Sequence, residues 1–346
     1  MRGGRATLVA NQLGGGTGCL GDALQDLAQA PLGQPARLDG WLDGWLTPLG
    51  KLWEYSPCMA NRGFVLVTGA STGIGEACAR RLDQEGFVVF AGVRRAEDAQ
   101  RLRQQSPGLV PVMLDVTDAE SIAQAVAAID RRAGEAGLAG LVNNAGISVA
   151  GPLEYLSIDD LRRQFEVNVI GQIAVTQACL PLLRAATGRL VFIGSISGRM
   201  AAPVLGPYSA SKFALAALCD ALRAELLPWG LHVVLVEPGS VATPIWQKGL
   251  DEGEVMAASL SDVGRERYRH LIAAVRQAAA AEAKAGIPAD RVADVVLRAL
   301  AAPRPRTRYL VGTDAKARAW IALLPDRWRD ALIRRALRLP APAVSA

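Results

Sequence analysis

The sequence is poor in the residues that bind transition metals or build disulfide frameworks. It has only two histidines, His232 and His270, which lie far apart in the chain, so we expect no metal site. Its five cysteines are odd in number and form no CxxC pair, which is typical of reduced thiols. The N-terminus also lacks a basic segment followed by a long apolar run, so we predict a cytoplasmic protein.

Long apolar runs and a one-sided charge distribution are also missing. No stretch reaches about 18 uninterrupted apolar residues, so no transmembrane helix is expected. The net charge is +5, and much of the excess comes from C-terminal arginines that are not interleaved with aromatic residues. This pattern is typical of a solvated face, and we predict no nucleic-acid partner. Hydrophobic residues make up 51% of the chain, enough to bury a large core.

Residues 1–58 differ from the rest of the chain. They are rich in Gly, Leu and Trp, include Gly14-Gly15-Gly16-Thr17-Gly18, and show no strand–turn–helix pattern. Two interpretations stay open: translation starts at Met59, or the segment is an extension that is disordered or binds a partner. We expect one catalytic domain at residues 59–319 and an amphipathic C-terminal tail at residues 320–346.

From Phe64 onward, short β-branched runs alternate with amphipathic stretches that begin at capping residues such as Thr117 and Ser157. This alternation predicts an α/β protein, with a doubly wound parallel β-sheet (Rossmann fold) and helices on both faces. Strands are predicted at Phe64–Val67, Phe87–Ala91, Val110–Leu114, from Leu141, Arg189–Ile193 and His232–Val236, and helices at 118–133, 159–185, 207–227 and about 264–285.

A glycine-rich turn joins the first predicted strand to its helix. Its sequence is Thr68-Gly69-Ala70-Ser71-Thr72-Gly73-Ile74-Gly75. A turn at this place presents backbone N–H groups and the positive end of the helix to a pyrophosphate, and glycine lets a phosphate approach the backbone. The position after a strand and before a helix therefore predicts a dinucleotide site.

The end of the second strand indicates which dinucleotide is bound. A carboxylate there would accept hydrogen bonds from a ribose 2′-hydroxyl, but the chain has Arg94 and Arg95 instead. Because guanidinium groups pair well with phosphate, this favours NADP(H) over NAD(H), unless the two arginines only cap a surface loop. Asp115 and Val116 are candidates to contact the adenine, although Asp115 is equally suited to a turn before Thr117.

Tyr208 and Lys212 lie four residues apart, which on a helix places them on one face. A free tyrosine has a pKa near 10, and a nearby ammonium group lowers it, so that the hydroxyl can exchange a proton with a carbonyl or alcohol oxygen. Ser195, at a strand end, is a candidate donor to the same oxygen. Asn168 is a candidate to hold a water that links to Lys212. Each residue alone is weak evidence for an active site. Their order and spacing after the glycine turn argue against a coincidence.

The chain from about 63 to 249 resembles the short-chain dehydrogenase/reductases. The motifs are Thr68–Gly75, Asp115, Asn143-Asn144-Ala145-Gly146, Asn168, Ser195, Tyr208 with Lys212, and Pro238-Gly239 followed by Thr243. The resemblance implies reversible hydride transfer between NAD(P)(H) and a secondary alcohol or ketone, in a homodimer or homotetramer. It implies a catalytic tetrad of Asn168, Ser195, Tyr208 and Lys212, with Ser195 and Tyr208 on the substrate and Lys212 also on the nicotinamide ribose. It implies cofactor contacts at Asn144, Ala145, Gly146, Pro238, Gly239, Val241 and Thr243.

A looser resemblance, to the retinol and 17β-hydroxysteroid dehydrogenase branch, lies in Val89–Arg94 and Arg308–Lys316. It implies an apolar substrate such as a retinoid, steroid or lipid, and we expect residues 244–286 to cover it. Trp320–Leu339 is expected to pack on the domain or on a second subunit in preference to a membrane interface. The alternatives to an enzyme are a catalytically silent NAD(P) sensor and a scaffold that uses the two ends of the chain.

Overall fold

The structure, a computed structural model, describes residues 62–106 and 108–339, apart from the side chains of residues 247, 248 and 250. The hypotheses on residues 1–58, on a start at Met59 and on the end of the tail lie outside the described residues. Within these ranges the strands are β1 (Phe64–Val67), β2 (Val88–Val93), β3 (Val110–Met113), β4 (Leu138–Asn143), β5 (Arg189–Ile193), β6 (His232–Pro238) and β7 (Arg308–Val311).

Eleven α-helices connect and follow these strands in the described part of the chain. They are α1 (Gly73–Gln84), α2 (Ala96–Gln105), α3 (Ala119–Ala133), α4 (Ile158–Phe165), α5 (Gly171–Ala185), α6 (Gly206–Glu225), α7 (Pro244–Ser259), α8 (Asp262–Ala285), α9 (Ala289–Ala301), α10 (Thr313–Ile321) and α11 (Asp326–Ala336). A π-helical segment, Glu166–Ile170, joins α4 to α5, so the predicted helix at 159–185 is continuous but contains a wider turn with i→i+5 hydrogen bonds.

All strand pairs are parallel, in the order β3-β2-β1-β4-β5-β6-β7. The chain runs outward from β1 to β3 and then returns to place β4 on the other side of β1. Side chains from α1, α2 and α9 bury one face of the sheet, and side chains from α3, α5 and α6 bury the other. The predicted doubly wound fold is therefore confirmed, with its switch point between β1 and β4.

Several predicted boundaries were wrong, each for a local reason. β4 begins at Leu138, three residues before the predicted start. Gly140 lies inside this strand, and a Cβ there would come within 2.6 Å of the Leu300 side chain of α9. The glycine therefore allows close packing and does not interrupt the strand. β2 runs on to Val93 because Gly92 and Val93 pair with β3. Asp118, not Thr117, caps α3 by accepting a hydrogen bond from the Glu120 N–H group.

The C-terminal region differs most from expectation. Arg308–Val311, seen in the sequence only as part of a motif, is the seventh strand of the sheet. Helix α11 has no buried residue, and Trp320, Leu323 and Trp328 are largely exposed. The domain therefore does not bury α11, and packing of this tail on a second subunit stays a prediction.

By length and composition alone, one described helical stretch, Ile158–Ala185, is apolar enough to cross a membrane. Half of its apolar window is buried inside the protein, as in a core helix of a globular domain. Its buried polar side chains Gln164, Asn168 and Gln172 hydrogen-bond to the backbone of the loop after β4.

Candidate functional site

A cleft of about 540 Å³ lies at the carboxyl ends of the strands, beside the switch point between β1 and β4. Ligands of open α/β sheets bind at this place, because the strand-to-helix loops diverge there. Every predicted site residue except Gly75 lines the cleft: Gly69, Ser71, Thr72, Gly73, Ile74, Arg94, Arg95, Asp115, Val116, Asn144, Ala145, Gly146, Asn168, Ser195, Tyr208, Lys212, Pro238, Gly239, Val241 and Thr243.

The glycine turn contains two residues with positive φ, a conformation that favours glycine. Gly69 and Gly73 have φ values of +63° and +60°, which side chains disfavour. A Cβ on Gly75 would lie 2.2 Å from the carbonyl oxygen of Gly69, so Gly75 shapes the turn from behind rather than lining the cleft. Thr72 precedes α1 without a side-chain cap, which leaves the first N–H groups of the helix available to an anion.

Two side chains fasten the turn to the end of β4. Asn144 Nδ2 donates to the carbonyl oxygens of Thr68 and Gly69, at 2.9 and 3.1 Å. The buried Thr68 Oγ1 accepts from the N–H groups of Asn144 and Ala145, both at 3.0 Å. The two strand ends at the switch point are thus held as one unit. Sequence reasoning missed a further contact, from the Arg101 guanidinium of α2 to the carbonyl oxygen of Ser71.

Arg94 and Arg95 are exposed at the end of β2, where the cleft opens. Asp115 Oδ1 accepts from the N–H and hydroxyl groups of Thr117, at 2.9 and 2.7 Å, so Asp115 does serve as a turn residue. Burial raises the pKa of Asp115, but the Thr117 hydrogen bonds and the Arg94 charge outweigh it and leave the pKa below its usual value. The adenine contact of Asp115 stays a prediction.

Tyr208 lies in the first turn of α6, opposite the end of β5 that positions Ser195. Burial raises the pKa of Tyr208, and a hydrogen bond with the Ser195 side chain partly offsets this. The ammonium of Lys212 is 5.8 Å from the centre of the Tyr208 ring. We expected Lys212 to lower the pKa of Tyr208; in the structure, the hydrogen bond that lowers it comes from Ser195.

Lys212 is only 5% exposed. Its Nζ donates to the carbonyl oxygen of Ile193 at 2.7 Å, which aims the ammonium along the end of β5. Burial lowers the pKa of Lys212 to about 8, and the Cys219 thiol opposes this shift. The amine therefore exchanges protons close to neutral pH, far more readily than an exposed lysine.

Asn168 is fully buried in the π-helical segment. Its Oδ1 accepts from the N–H of Ile147 at 2.8 Å, and its Nδ2 donates to the Ile147 carbonyl at 3.0 Å and to Ser211 Oγ at 3.2 Å. The side chain therefore anchors the loop after β4 to α6. The water link from Asn168 to Lys212 stays a prediction.

Sequence reasoning missed the neighbours of Asn168 on the same helical face. Gln164 and Gln172 are also fully buried, and they hydrogen-bond with the backbone of Ile147, Val149 and Ala145. The signal was present, since polar residues recur every four positions from residue 164 to 176, a stretch whose only other polar residue is Glu166. This buried polar stripe consists of Gln164, Asn168, Gln172 and Thr176.

A second missed group is an ion-pair cluster around Glu237, near the end of β6. Glu237, the residue before Pro238, is 1% exposed and receives two hydrogen bonds from Arg199, at 2.8 and 2.6 Å. Arg308 of β7 contacts the same carboxylate at 3.4 Å and Asp220 of α6 at 2.6 Å. The cluster joins the loop after Ser195 to the end of β6, and no short-range pattern in the sequence indicates it.

Residues of α7 and α8 line the other end of the cleft, and the coverage of a substrate by residues 244–286 stays a prediction. Trp246 Nε1 donates to the Val241 carbonyl at 2.8 Å, which ties α7 to the end of β6. An ion pair of 3.1 Å joins Arg163 of α4 to Glu252 of α7 at the lining. His270 is exposed, as expected for a residue outside the chemistry. The apolar lining of this end comes from Val204, Leu205, Trp246, Met256, Ile272 and Val275.

Comparison with known proteins decides the family. The model described as short chain dehydrogenase matches residues 63–253, which contain the glycine turn, Ser195, Tyr208 and Lys212. The chain belongs to the short-chain dehydrogenase family. It is therefore an oxidoreductase of the dehydrogenase/reductase type.

Individual relatives match most of this dehydrogenase chain. The NADPH-dependent 3-dehydrocapnine reductase of Ornithobacterium rhinotracheale is 36% identical over 282 residues, which are 80% of this chain and 97% of that protein. Retinol dehydrogenase 5 of Mus musculus is 39% identical over 295 residues, 83% of this chain and 92% of that protein. The resemblance to the retinol and 17β-hydroxysteroid dehydrogenase branch is thereby confirmed.

Solved structures share the fold of the family. A short chain dehydrogenase from Burkholderia cenocepacia, determined in complex with NADP, has a TM-score of 0.60 and 27% identity, and the match covers 81% of this chain and 99% of that one. The residues of the present cleft fit such a dinucleotide. They offer an uncapped helix start with a glycine turn for a pyrophosphate, and two exposed guanidinium groups at the end of β2.

Proposed function

We propose that this dehydrogenase moves a hydride between the C4 atom of NADP(H) and a secondary alcohol or ketone, with Tyr208 as the acid or base. The observation that carries the proposal is the meeting of Tyr208, Ser195 and Lys212 in the same cleft as the glycine turn. A silent sensor is the alternative, but no observation favours it, since all four residues of the expected tetrad are present and line the cleft.

The nicotinamide ring, when bound, supplies or accepts the hydride. Tyr208 supplies the matching proton to the ketone oxygen, and its buried hydroxyl remains protonated at neutral pH because burial raises its pKa. Ser195, which hydrogen-bonds to Tyr208, donates to the same substrate oxygen. Lys212, whose pKa is about 8, can return a proton to Tyr208 after each reduction and then take a replacement proton from water. In alcohol oxidation the same protons move in the opposite direction.

The preference for NADPH is expected to depend on Arg94 and Arg95. Replacing both by alanine removes the two exposed cations at the end of β2, so the KM for NADPH should rise about tenfold or more while the KM for NADH changes little. Steady-state kinetics with both cofactors measure this. Arg103→Ala, an exposed arginine of α2 outside the cleft lining, is the matched control. An unchanged ratio of the two KM values in the double variant would remove the arginines from cofactor recognition.

The substrate is expected to be apolar, because α7 and α8 present aliphatic and aromatic side chains to the far end of the cleft. A panel of retinoids, steroids and long-chain ketones, assayed with NADPH and NADH, should give turnover with at least one apolar class. Short polyols serve as the polar comparison. Turnover restricted to the polyols would show that the apolar assignment is wrong.

We also propose a cytoplasmic homodimer or homotetramer, which the family resemblance implies. Cys78, Cys179 and Cys219 are buried free thiols, in keeping with a reducing compartment. Light scattering of the purified chain measures the assembly.

A further inference from the structure

Ser240, in the loop after β6, is held by two side chains from the C-terminal part of the chain. Its N–H donates to Oδ2 of Asp314, in the first turn of α10, at 2.7 Å. Its hydroxyl donates to Oε2 of Glu282, in the last turn of α8, at 3.0 Å. Ser240 is 8% exposed, so both hydrogen bonds are largely sheltered from water. One residue of the cleft wall therefore connects α8 and α10.

The connection closes into a ring. Arg318 lies one turn after Asp314 on α10, and its guanidinium pairs with the other carboxylate oxygen of Glu282. Glu282 thus uses one oxygen for the cleft wall and the other for α10. We call Ser240, Glu282, Arg318 and Asp314 the Ser240 ring. Three of its members, Ser240, Glu282 and Arg318, line the cleft.

The backbone around the ring is closely packed. A Cβ on Gly239 would lie 2.2 Å from Oδ2 of Asp314, so the Asp314 carboxylate packs directly on the loop. Gly312, before α10, has a φ of +105°, which brings the chain sharply round from β7 into that helix. The N–H of Gly239 also donates to the carbonyl of Val311 at 2.9 Å. Position and orientation of the loop are therefore set by the segment from Val311 to Asp314.

The far side of the loop is fixed as well. The N–H of Ile287, just after α8, donates to the carbonyl of Ser240 at 2.9 Å, and the N–H of Ala242 donates to the carbonyl of Ile287 at 2.9 Å. Ser240–Ala242 is thus bound on both sides by segments that follow it by some forty residues or more in the sequence. Movement of α8 and movement of this wall are not independent.

We propose that the Ser240 ring positions the Pro238–Val241 wall of the cleft and couples it to α8, so that the cofactor side and the substrate-covering helix are held together. This inference rests on the proposed function, which identifies Pro238–Val241 as the cofactor side and α8 as the substrate-covering helix. Asp314 holds the wall through the N–H of Ser240, and Glu282 links the wall to α8 through the Ser240 hydroxyl. Asp314, Glu282 and Arg318 are positioning residues that act through Ser240. The motif at Arg308–Lys316, which the sequence showed without any chemistry, contributes Asp314 to this ring.

The two hydrogen bonds of Ser240 can be broken separately. Ser240→Ala removes the link to Glu282 but keeps the N–H that binds Asp314. The KM for the panel ketone that turns over fastest should therefore rise about tenfold, while the Kd for NADPH changes less than about threefold. Asp314→Ala releases the wall, so the Kd for NADPH should rise about tenfold. Asp314→Asn keeps an oxygen that accepts from Ser240, and should restore the Kd to within about threefold of wild type. Asp326→Ala, an exposed aspartate in the first turn of α11, is the matched control.

Hydrogen–deuterium exchange of the full-length, cofactor-free protein tests the ring without any turnover. Asp314→Ala should speed exchange in the peptide that contains Ser240, and Ser240→Ala should speed it at the end of α8, whereas Asp314→Asn and Asp326→Ala should match wild type. Unchanged exchange in Ser240→Ala and Asp314→Ala overturns the ring even if the enzyme is active. Changed exchange in a protein that binds neither NADPH nor NADH supports the ring and refutes the proposed function. If Asp314→Ala does not fold, Ser240→Ala decides alone, through its KM for the ketone and its hydrogen–deuterium exchange at the end of α8.

Discussion

Tyr208→Phe is expected to lower the rate of carbonyl reduction with NADPH by about 100- to 10,000-fold, the usual contribution of a positioned acid or base. The variant removes one oxygen atom and keeps the ring that packs above Lys212. Because the hydroxyl is not part of the glycine turn, the Kd for NADPH should stay within about threefold of wild type. Single-turnover kinetics and fluorescence titration with NADPH measure the two quantities separately.

Tyr309→Phe is the matched control for this prediction. Tyr309 lies on β7, where its hydroxyl accepts from the N–H of Arg306 at 3.0 Å, and it does not line the cleft. Its loss should leave the rate within about twofold, since it affects one exposed hydrogen bond. A Tyr208→Phe variant that retains more than a tenth of the wild-type rate would contradict the role of Tyr208 as proton donor.

Much of the fold could be predicted because the information is local. β5 matches its predicted bounds, since Arg189–Ile193 is a short apolar run between clear turn signals. The glycine turn and the Tyr208–Lys212 pair are likewise defined by spacings of a few residues. Gly140 misled the prediction of β4 because a glycine inside a strand reads as a break until the close approach of Leu300 is seen.

The rest of the site depends on contacts between distant parts of the chain. Glu237 meets Arg199 across 38 residues, and Ser240 meets Asp314 across 74 residues. Such pairs follow from which strands are neighbours, and β7 was not foreseen as a strand. Long-range pairs between polar or charged residues have no periodic signal, so sequence reasoning found residues that line the cleft and missed those that hold its loops in place.

Arg199→Leu is expected to lower the free energy of unfolding by about 3 kcal/mol, since it removes the closer cation partner of the buried Glu237 carboxylate. Glu237 is 1% exposed, and among the described residues the only other cation that pairs with it is Arg308, at 3.4 Å. Urea unfolding followed by circular dichroism measures the change. Arg162→Leu breaks an ion pair of 2.9 Å whose side chains are 71% and 90% exposed, and should cost less than about 1 kcal/mol.

A double variant separates two contributions to the lost free energy of unfolding: the missing Arg199 contact and the buried, poorly compensated charge of Glu237. Arg199→Leu combined with Glu237→Gln removes the buried carboxylate while keeping its shape, so it should recover more than half of the stability lost in Arg199→Leu. Because the Arg199 loop begins at Ser195, the single variant should also lose activity in parallel with stability, whereas the double variant should regain both. If Arg199→Leu costs no more than Arg162→Leu, the ion-pair cluster does not hold the ends of β5 and β6 together.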